Sequence, residues 1–144
     1  MKISTRGRYA LKIMMALATS PEGEYVPLKT ISDREQVSMK YLEQIIALLS
    51  RAGMLESTRG KSGGYRLAKA PNEYTAGDIL RVAEGSLAPI KCVESKCENS
   101  GNCSTFAFWE GLNRAINDYI DSTTLEDLAL REKAVGDEKA RCEK

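Results

Sequence analysis

Between Leu28 and Leu67 the chain carries a pattern that leaves little choice of fold. Leu28 and Ile31 mark the inner side of a short helix over Leu28 to Glu35, opened by Pro27, whose fixed φ suits a first helical turn. Val37 lies in a tight turn, and Ser38 is placed to cap the next helix. Within that helix Tyr41, Leu42, Ile45, Ile46, Leu48 and Leu49 recur at the spacing of one buried face, and Gly53 stands where a C′ residue closes it. Two helices joined by so short a turn form a helix-turn-helix, here over about residues 28–52. Two extended runs follow, Met54 to Thr58 and Tyr65 to Leu67, separated by Arg59-Gly60-Lys61-Ser62-Gly63-Gly64. A basic, glycine-rich hairpin behind such a helix reads as a wing, over residues 55–67. The expected fold class is therefore mainly α with a small β-hairpin, a winged helix-turn-helix domain.

A recognition helix reads base edges in the major groove through polar side chains near its start, while basic groups hold phosphates. Ser38, Lys40, Tyr41, Glu43 and Gln44 form the expected exposed set. Gln44 has the amide geometry to pair with adenine, Glu43 can accept from cytosine N4, and Lys40 or Ser38 can reach phosphate or guanine. In the wing, Arg59 is placed for a neighbouring minor groove, with Gly60, Lys61, Gly63 and Gly64 allowing close backbone approach. The charge distribution agrees. A net charge of +1 conceals +5 over residues 1–66 (11 basic, 6 acidic) and −4 over residues 67–144 (10 basic, 14 acidic).

Upstream, Ser4 and Thr5 can cap a helix whose Tyr9, Ile13, Met14 and Leu17 share one face, ending before Pro21. Downstream, Thr75 with Asp78 makes a capping box for a helix over Ala76 to Ala83, ended by Gly85. A cysteine loop over residues 90–103 comes next. Ser104 then opens a long helix, about 105–121, with an apolar stripe of Trp109, Leu112, Ile116, Tyr119 and Ile120. Such a stripe usually packs on a core, but because it lies past a module with its own core, pairing with a second copy of the chain is the expectation here. A short helix over Ser122 to Leu130 and a flexible charged tail over residues 131–144 complete the expected layout. In this division residues 1–70 are the DNA-binding domain, and residues 71–130 hold the linker helix, the cysteine loop and the dimerisation helix.

Cys92, Cys97 and Cys103 form Cys-x4-Cys-x5-Cys among Lys, Glu, Ser, Gly and Asn, which is not core composition. With no signal-peptide pattern and no apolar run long enough for a membrane span, the protein is expected in the cytoplasm, where structural disulfides are rare. Three chemistries remain: an iron-sulfur cluster, a redox thiol switch, and zinc. Zinc sites usually carry paired Cys-x2-4-Cys spacings that are absent here.

Five ordered segments, KISTRGRYALKIMMALA, VSMKYLEQ, RGKSGGYRL, YTAGDILRVAEG and DSTTLEDLA, resemble the IscR-type branch of the Rrf family of bacterial repressors, with coverage from Met1 to about Leu130. The resemblance implies a homodimer with a long dimerisation helix, acting on palindromic double-stranded DNA. It matches Ser38, Tyr41, Glu43, Gln44 and Arg59 to the family's DNA contacts, with Lys40 in place of a second serine. It also implies that Cys92, Cys97 and Cys103 ligate an iron-sulfur cluster, 2Fe-2S or alternatively 4Fe-4S, which can be lost on isolation, so that the protein senses cluster, redox or nitric oxide status. The family's fourth ligands do not carry over: Phe106 stands where the cluster-assembly regulator has histidine, and Arg8 where nitric-oxide sensors have a carboxylate. Glu94, Glu98, Cys142, a partner's carboxylate or an exogenous thiol are the remaining candidates. Two segments, TAGDILRVAEG and DSTTLEDLA, also resemble the family's cysteine-metabolism repressor, which lacks the cysteine loop; this implies an alternative in which a metabolic enzyme docks on the C-terminal half, or thiol oxidation acts without a cluster.

An enzyme is not expected. The chain has no histidine, no nucleophile and base pair, and no phosphate-cradling Gly-x-Gly before a helix.

Overall fold

The computed structural model describes residues 2–95 and 97–142, with side chains described as far as residue 138. Among the described residues, seven α-helices and one hairpin follow the order α1 (Thr5–Ala18), α2 (Leu28–Glu35), α3 (Met39–Arg51), β1 (Leu55–Thr58), β2 (Gly64–Leu67), α4 (Ala76–Glu84), α5 (Lys91–Glu94), α6 (Phe106–Ser122) and α7 (Leu125–Cys142). No helix among the described residues is long and apolar enough to cross a membrane.

Local capping explains most of the boundaries. Ser4 Oγ accepts from Gly7 N at 3.4 Å to open α1, and Thr75 and Asp78 bond reciprocally at 3.0 Å to open α4. A second reciprocal pair at the start of α7 joins Thr124 N to Asp127 Oδ2 and Asp127 N to Thr124 Oγ1, at 2.9 and 3.0 Å. Gln36 takes the left-handed conformation (φ 54°) that stops α2, and Ser32 Oγ donates to Val37 O at 2.5 Å across the turn. Gly53, at φ +72°, ends α3 as its position predicts. Pro27 is the N-cap of α2 rather than its first helical residue.

Beneath these elements lies one core. Ile13, Met14, Ile31, Leu42, Ile45 and Leu49 from α1 to α3 are fully buried together with Ile79 of α4 and Leu125 of α7. The core thus runs past residue 70. α4 packs on α1 and α3, and α7 packs on α1. Backbone bonds from Ala76 N to Thr123 O (2.8 Å) and from Leu125 N to Tyr74 O (2.9 Å) hold the starts of α4 and α7 side by side. Tyr74 is buried beneath the wing, where its hydroxyl donates to Met54 O at 2.9 Å and accepts from Lys69 N at 3.0 Å; burial pushes its phenol up from the usual value.

The strands β1 and β2 pair antiparallel with Leu55 opposite Leu67 and Thr58 opposite Gly64. Tyr65 exchanges two backbone bonds with Val26, of 2.8 and 2.9 Å, so the segment before α2 is bridged to the hairpin.

Two expectations are corrected at the C-terminal end. Thr105, not Ser104, occupies the N-cap of α6, and it makes no side-chain cap bond. Residues 131–142 are helical rather than an irregular tail, because α7 continues unbroken from Leu125. Arg131, Glu132, Lys133 and Ala134 are strong helix formers, and Arg34 of α2 pairs with Glu132 across the gap, which supports the extension.

Candidate nucleic-acid interface and cysteine loop

Helix α3 starts where Ser38 makes it start. Its backbone is extended (φ −61°, ψ 143°) and its Oγ accepts from Tyr41 N at 3.2 Å, which fixes the rotation of α3. With Leu42, Ile45, Ile46 and Leu49 buried, Lys40, Glu43 and Gln44 are left exposed on the outer side with Ser38. Tyr41 departs from the expected exposed set. It is half-buried, its ring meeting that of Tyr9 edge-on at 5.9 Å, and Lys12 lies 5.3 Å over the Tyr9 ring while pairing with Glu35 at 2.7 Å. Tyr41 therefore anchors α3 to α1.

The wing tip presents Arg59, Gly60 and Lys61 to solvent, and Gly60 adopts φ +101°, a conformation that strains other residues. Gly63 and Gly64 serve a different need. A Cβ on Gly64 would stand 2.3 Å from Val26 O, and one on Gly63 would stand 2.8 Å from Gly60 O and 2.9 Å from Thr58 O. The close approach these glycines permit is internal to the chain, and Gly64 is buried. At the base of β2, Arg66 bonds Glu56 and Gly23 O and stacks 4.5 Å from the Tyr25 ring, bracing the hairpin.

Met39, the first residue of α3, is apolar and so lies outside the polar set that the sequence pattern picks out. It is 40% exposed, beside Ser38 and Lys40 and one turn before Glu43. The signal that could have found it is positional, since residues at i and i+4 share a helix face.

Behind the reading head, the carboxylate of Glu84 closes the N-terminus of α1. Its Oε1 accepts from Ser4 N (3.0 Å), Ser4 Oγ (2.5 Å) and Gly7 N (3.1 Å), a carboxylate placed where helix-end amides and the helix dipole favour negative charge. Glu84 is the last residue of α4, and the cysteine loop begins a few residues beyond it. On the other side of α4, Arg81 reaches Asp121 through two bonds of 2.7 and 2.9 Å and Asn117 through one of 2.6 Å, tying α4 to α6.

All three loop cysteines are free: Cys92 and Cys103 are exposed and Cys97 is half-buried. Cys92 sits on the short helix α5, and Cys103 lies three residues before α6. Partial desolvation and the neighbouring thiols of Cys97 and Cys103 push the Cys92 thiol up. Cys103 is held below the usual range by hydrogen bonds from the Thr105 side chain and from backbone amides of Thr105 and Phe106. The three thiols are neighbours without being a finished cage, for among the described residues no three His, Cys, Asp or Glu groups are arranged to hold a metal ion. Arg8, Glu94 and Glu98 are exposed, Phe106 is the first residue of α6, and the Cys142 side chain lies outside the described residues.

α6 buries none of its residues. Trp109, Ile116 and Ile120 are half-buried, whereas Phe108 and Tyr119 are 64% and 65% exposed and Leu112 lies between them on the open side.

The chain as a whole has known counterparts. The model of the Rrf2 family, described as an iron-dependent transcriptional regulator, matches residues 3–131. The chain belongs to the Rrf2 family. This regulator is 42% identical to the HTH-type transcriptional regulator CymR of Bacillus subtilis over 129 residues, covering 90% of each chain. It is 35% identical to the HTH-type transcriptional regulator IscR of Aliivibrio salmonicida over 131 residues, covering 90% of this chain and 78% of that one. The solved structure of CymR, the global cysteine regulator of B. subtilis, superposes with a TM-score of 0.75 at 40% identity, covering 91% of this chain and 98% of that one. The regulator is thus a DNA-binding transcription regulator and not an enzyme, with the winged-helix fold expected from its residues.

Proposed function

We propose that this regulator is a homodimeric repressor of the IscR type, which grips palindromic operator DNA and adjusts that grip to the occupancy of its cysteine loop. The observation that carries the proposal is the placement of three free cysteines on one loop, between a helix built into the reading-head core and a helix with an open apolar face. Ser38, Lys40, Glu43 and Gln44 would meet base edges and phosphates, and Arg59, Gly60 and Lys61 would follow the backbone or enter the minor groove. Tyr41, Gly63 and Gly64 would act by holding helix and wing in position. Two copies joined through Phe108, Leu112 and Tyr119 of α6 would set two reading helices about one DNA turn apart, roughly 34 Å, as two-fold operators require.

The donor chemistry of the loop suits an iron-sulfur cluster: Cys92, Cys97 and Cys103 supply three thiols outside any disulfide, and nothing in the core needs them. When bound, such a cluster supplies redox and lability chemistry to which iron, oxidant or nitric oxide status can couple. The protein's part is mechanical. Drawing three thiols together would reshape the segment between Gly85 and Phe106, which follows Glu84, bonded to the start of α1, and leads into α6, whose far end Arg81 ties to α4 through Asn117 and Asp121. A change of loop shape therefore bears on both the reading head and the dimer helix. Coupling of this kind amounts to about 1 to 3 kcal/mol in typical regulators.

Anaerobic purification with visible spectroscopy and iron and sulfide analysis tests the sensor, with the Cys92→Ala, Cys97→Ala, Cys103→Ala triple variant alongside. Coloured protein whose operator affinity changes on cluster loss, and a colourless triple variant locked in one affinity state, are expected. Colourless, iron-free protein with affinity unaffected by the triple substitution overturns the sensor. The similarity to CymR favours a second reading, in which a metabolic enzyme docks on the C-terminal half of the regulator. In that case the triple variant regulates normally, and a bound enzyme changes operator affinity.

A further inference from the structure

Met39 is out of place as a structural residue. Met14 is fully buried and Met15 and Met54 pack against the core, whereas Met39 belongs neither to the core nor to the side chains packed on it. It occupies the first helical position of α3, directly after the Ser38 cap. Its immediate neighbours Ser38 and Lys40 are exposed and polar, as is Glu43 one turn along. The residues at the start of a recognition helix are those that reach base edges. On the major-groove floor the one apolar feature is the C5-methyl of thymine, and the methyl is also the only atom group distinguishing thymine from uracil in that groove. An unbranched thioether with three rotatable bonds can lie along such a methyl with little steric demand.

We infer that Met39 is a specificity-determining residue, contacting a thymine methyl in each operator half-site. The inference rests on α3 being the element that enters the major groove. It adds an apolar component to a surface otherwise composed of hydrogen-bonding and charged groups. Lys40, Glu43 and Gln44 discriminate by donors and acceptors. Met39 discriminates by the presence or absence of one methyl group.

The test uses the purified full-length protein and an operator selected from random duplexes. Each thymine in a half-site is replaced in turn by deoxyuridine, which keeps every hydrogen-bonding group and removes only the methyl. At one position the wild type is expected to lose about fourfold in affinity, the worth of burying a single methyl group. Met39→Leu should retain that loss. Met39→Gln, nearly isosteric and polar, should bind the thymine and deoxyuridine duplexes equally while keeping its helical circular dichroism. Unchanged wild-type affinity at every thymine, or a full deoxyuridine penalty persisting in Met39→Gln, overturns the assignment. Failure to select any duplex would overturn it together with the placement of α3 in the groove, whereas selective binding without methyl dependence would overturn Met39 alone.

Discussion

The reading head and the helix that follows the cysteine loop are built on opposite terms. α1, α2 and α3 each bury apolar residues within the chain, and Leu42, Ile45 and Leu49 have no exposure at all, whereas α6, a longer helix than any of the three, buries none. The first region is finished by its own chain. The second has a half-covered side toward α4 and an open side of Phe108, Leu112 and Tyr119 that only another surface can cover. Removing a side chain should therefore damage folding in the first region and association in the second, while leaving the exposed cysteines energetically silent.

The sharpest break of that comparison is Leu42→Ala. Truncating a fully buried leucine costs about 2 to 5 kcal/mol, so urea denaturation should show a much reduced midpoint and DNA binding should fall with it. The Cys92→Ala, Cys97→Ala, Cys103→Ala triple variant, read as apo protein in the same assay, should stay within about 0.5 kcal/mol of wild type. A stable Leu42→Ala protein would mean the core of the head is not what holds it.

For the second region, Leu112→Glu with Tyr119→Glu should leave the denaturation curve of the monomer nearly unchanged and shift sedimentation velocity to a single-chain species. Losing the link between two half-site contacts should weaken operator binding by about 100-fold or more. Tight binding by a monomeric variant would break the assignment of α6 to dimerisation.

Two glycines sharpen the comparison from within the closely packed first region and its contact with α4. Gly64 faces backbone: an added Cβ would stand 2.3 Å from Val26 O and 2.5 Å from Val26 C, neither of which can swing aside. Gly64→Ala should cost about 1 to 3 kcal/mol and loosen the wing, measured as lost thermal stability and weakened DNA binding. Gly7 faces the Glu84 carboxylate, also at 2.3 Å, and that group can rotate away. What Gly7→Ala forfeits is the bonds Glu84 accepts from Ser4 and Gly7, offset by the better helix propensity of alanine, for a net loss of about 1 kcal/mol. In a Glu84→Ala background the same substitution should become neutral or stabilising; an unchanged penalty there would remove Glu84 as the link between α1 and α4.

These examples also mark the border of what the residues alone could tell. Ser38, Gly53 and the Thr75 and Asp78 pair act within a few residues of themselves, and local rules placed them correctly. Glu84 and Gly7 are 77 residues apart, and nothing local to either points to the other. Gly64 reads locally as a site of close approach to another molecule, because its true neighbour, Val26, arrives from before α2. Tyr41 fitted both an inner stripe and an outer contact, and the ring of Tyr9 decided between them. The charged stretch after Leu130 was legible as polar but not as helix, since its partner Arg34 lies on α2.

The smallest effect belongs to the clamp between the two regions. The Arg81 guanidinium, through its hydrogen bonds to Asp121, holds that carboxyl below its ordinary value of 3.8. A carboxyl depressed on folding contributes stability above its unfolded value and loses it as pH falls through the lower folded value, so the contribution is complete at neutral pH and disappears below about pH 4. Both side chains are more than a third exposed, at 36% and 45%, and solvent screening keeps the pair well under about 1 kcal/mol. Asp121→Asn should therefore leave the midpoint at pH 7 almost unmoved and slightly flatten the acid limb of stability against pH. Part of that limb will persist, because Asp127 is independently depressed by its bonds from Thr124. Operator affinity is the more telling readout, since the pair costs little in folding yet joins α4 to α6. If Asp121→Asn leaves both folding and operator affinity intact, the clamp is only a surface ion pair and carries no communication between α4 and α6.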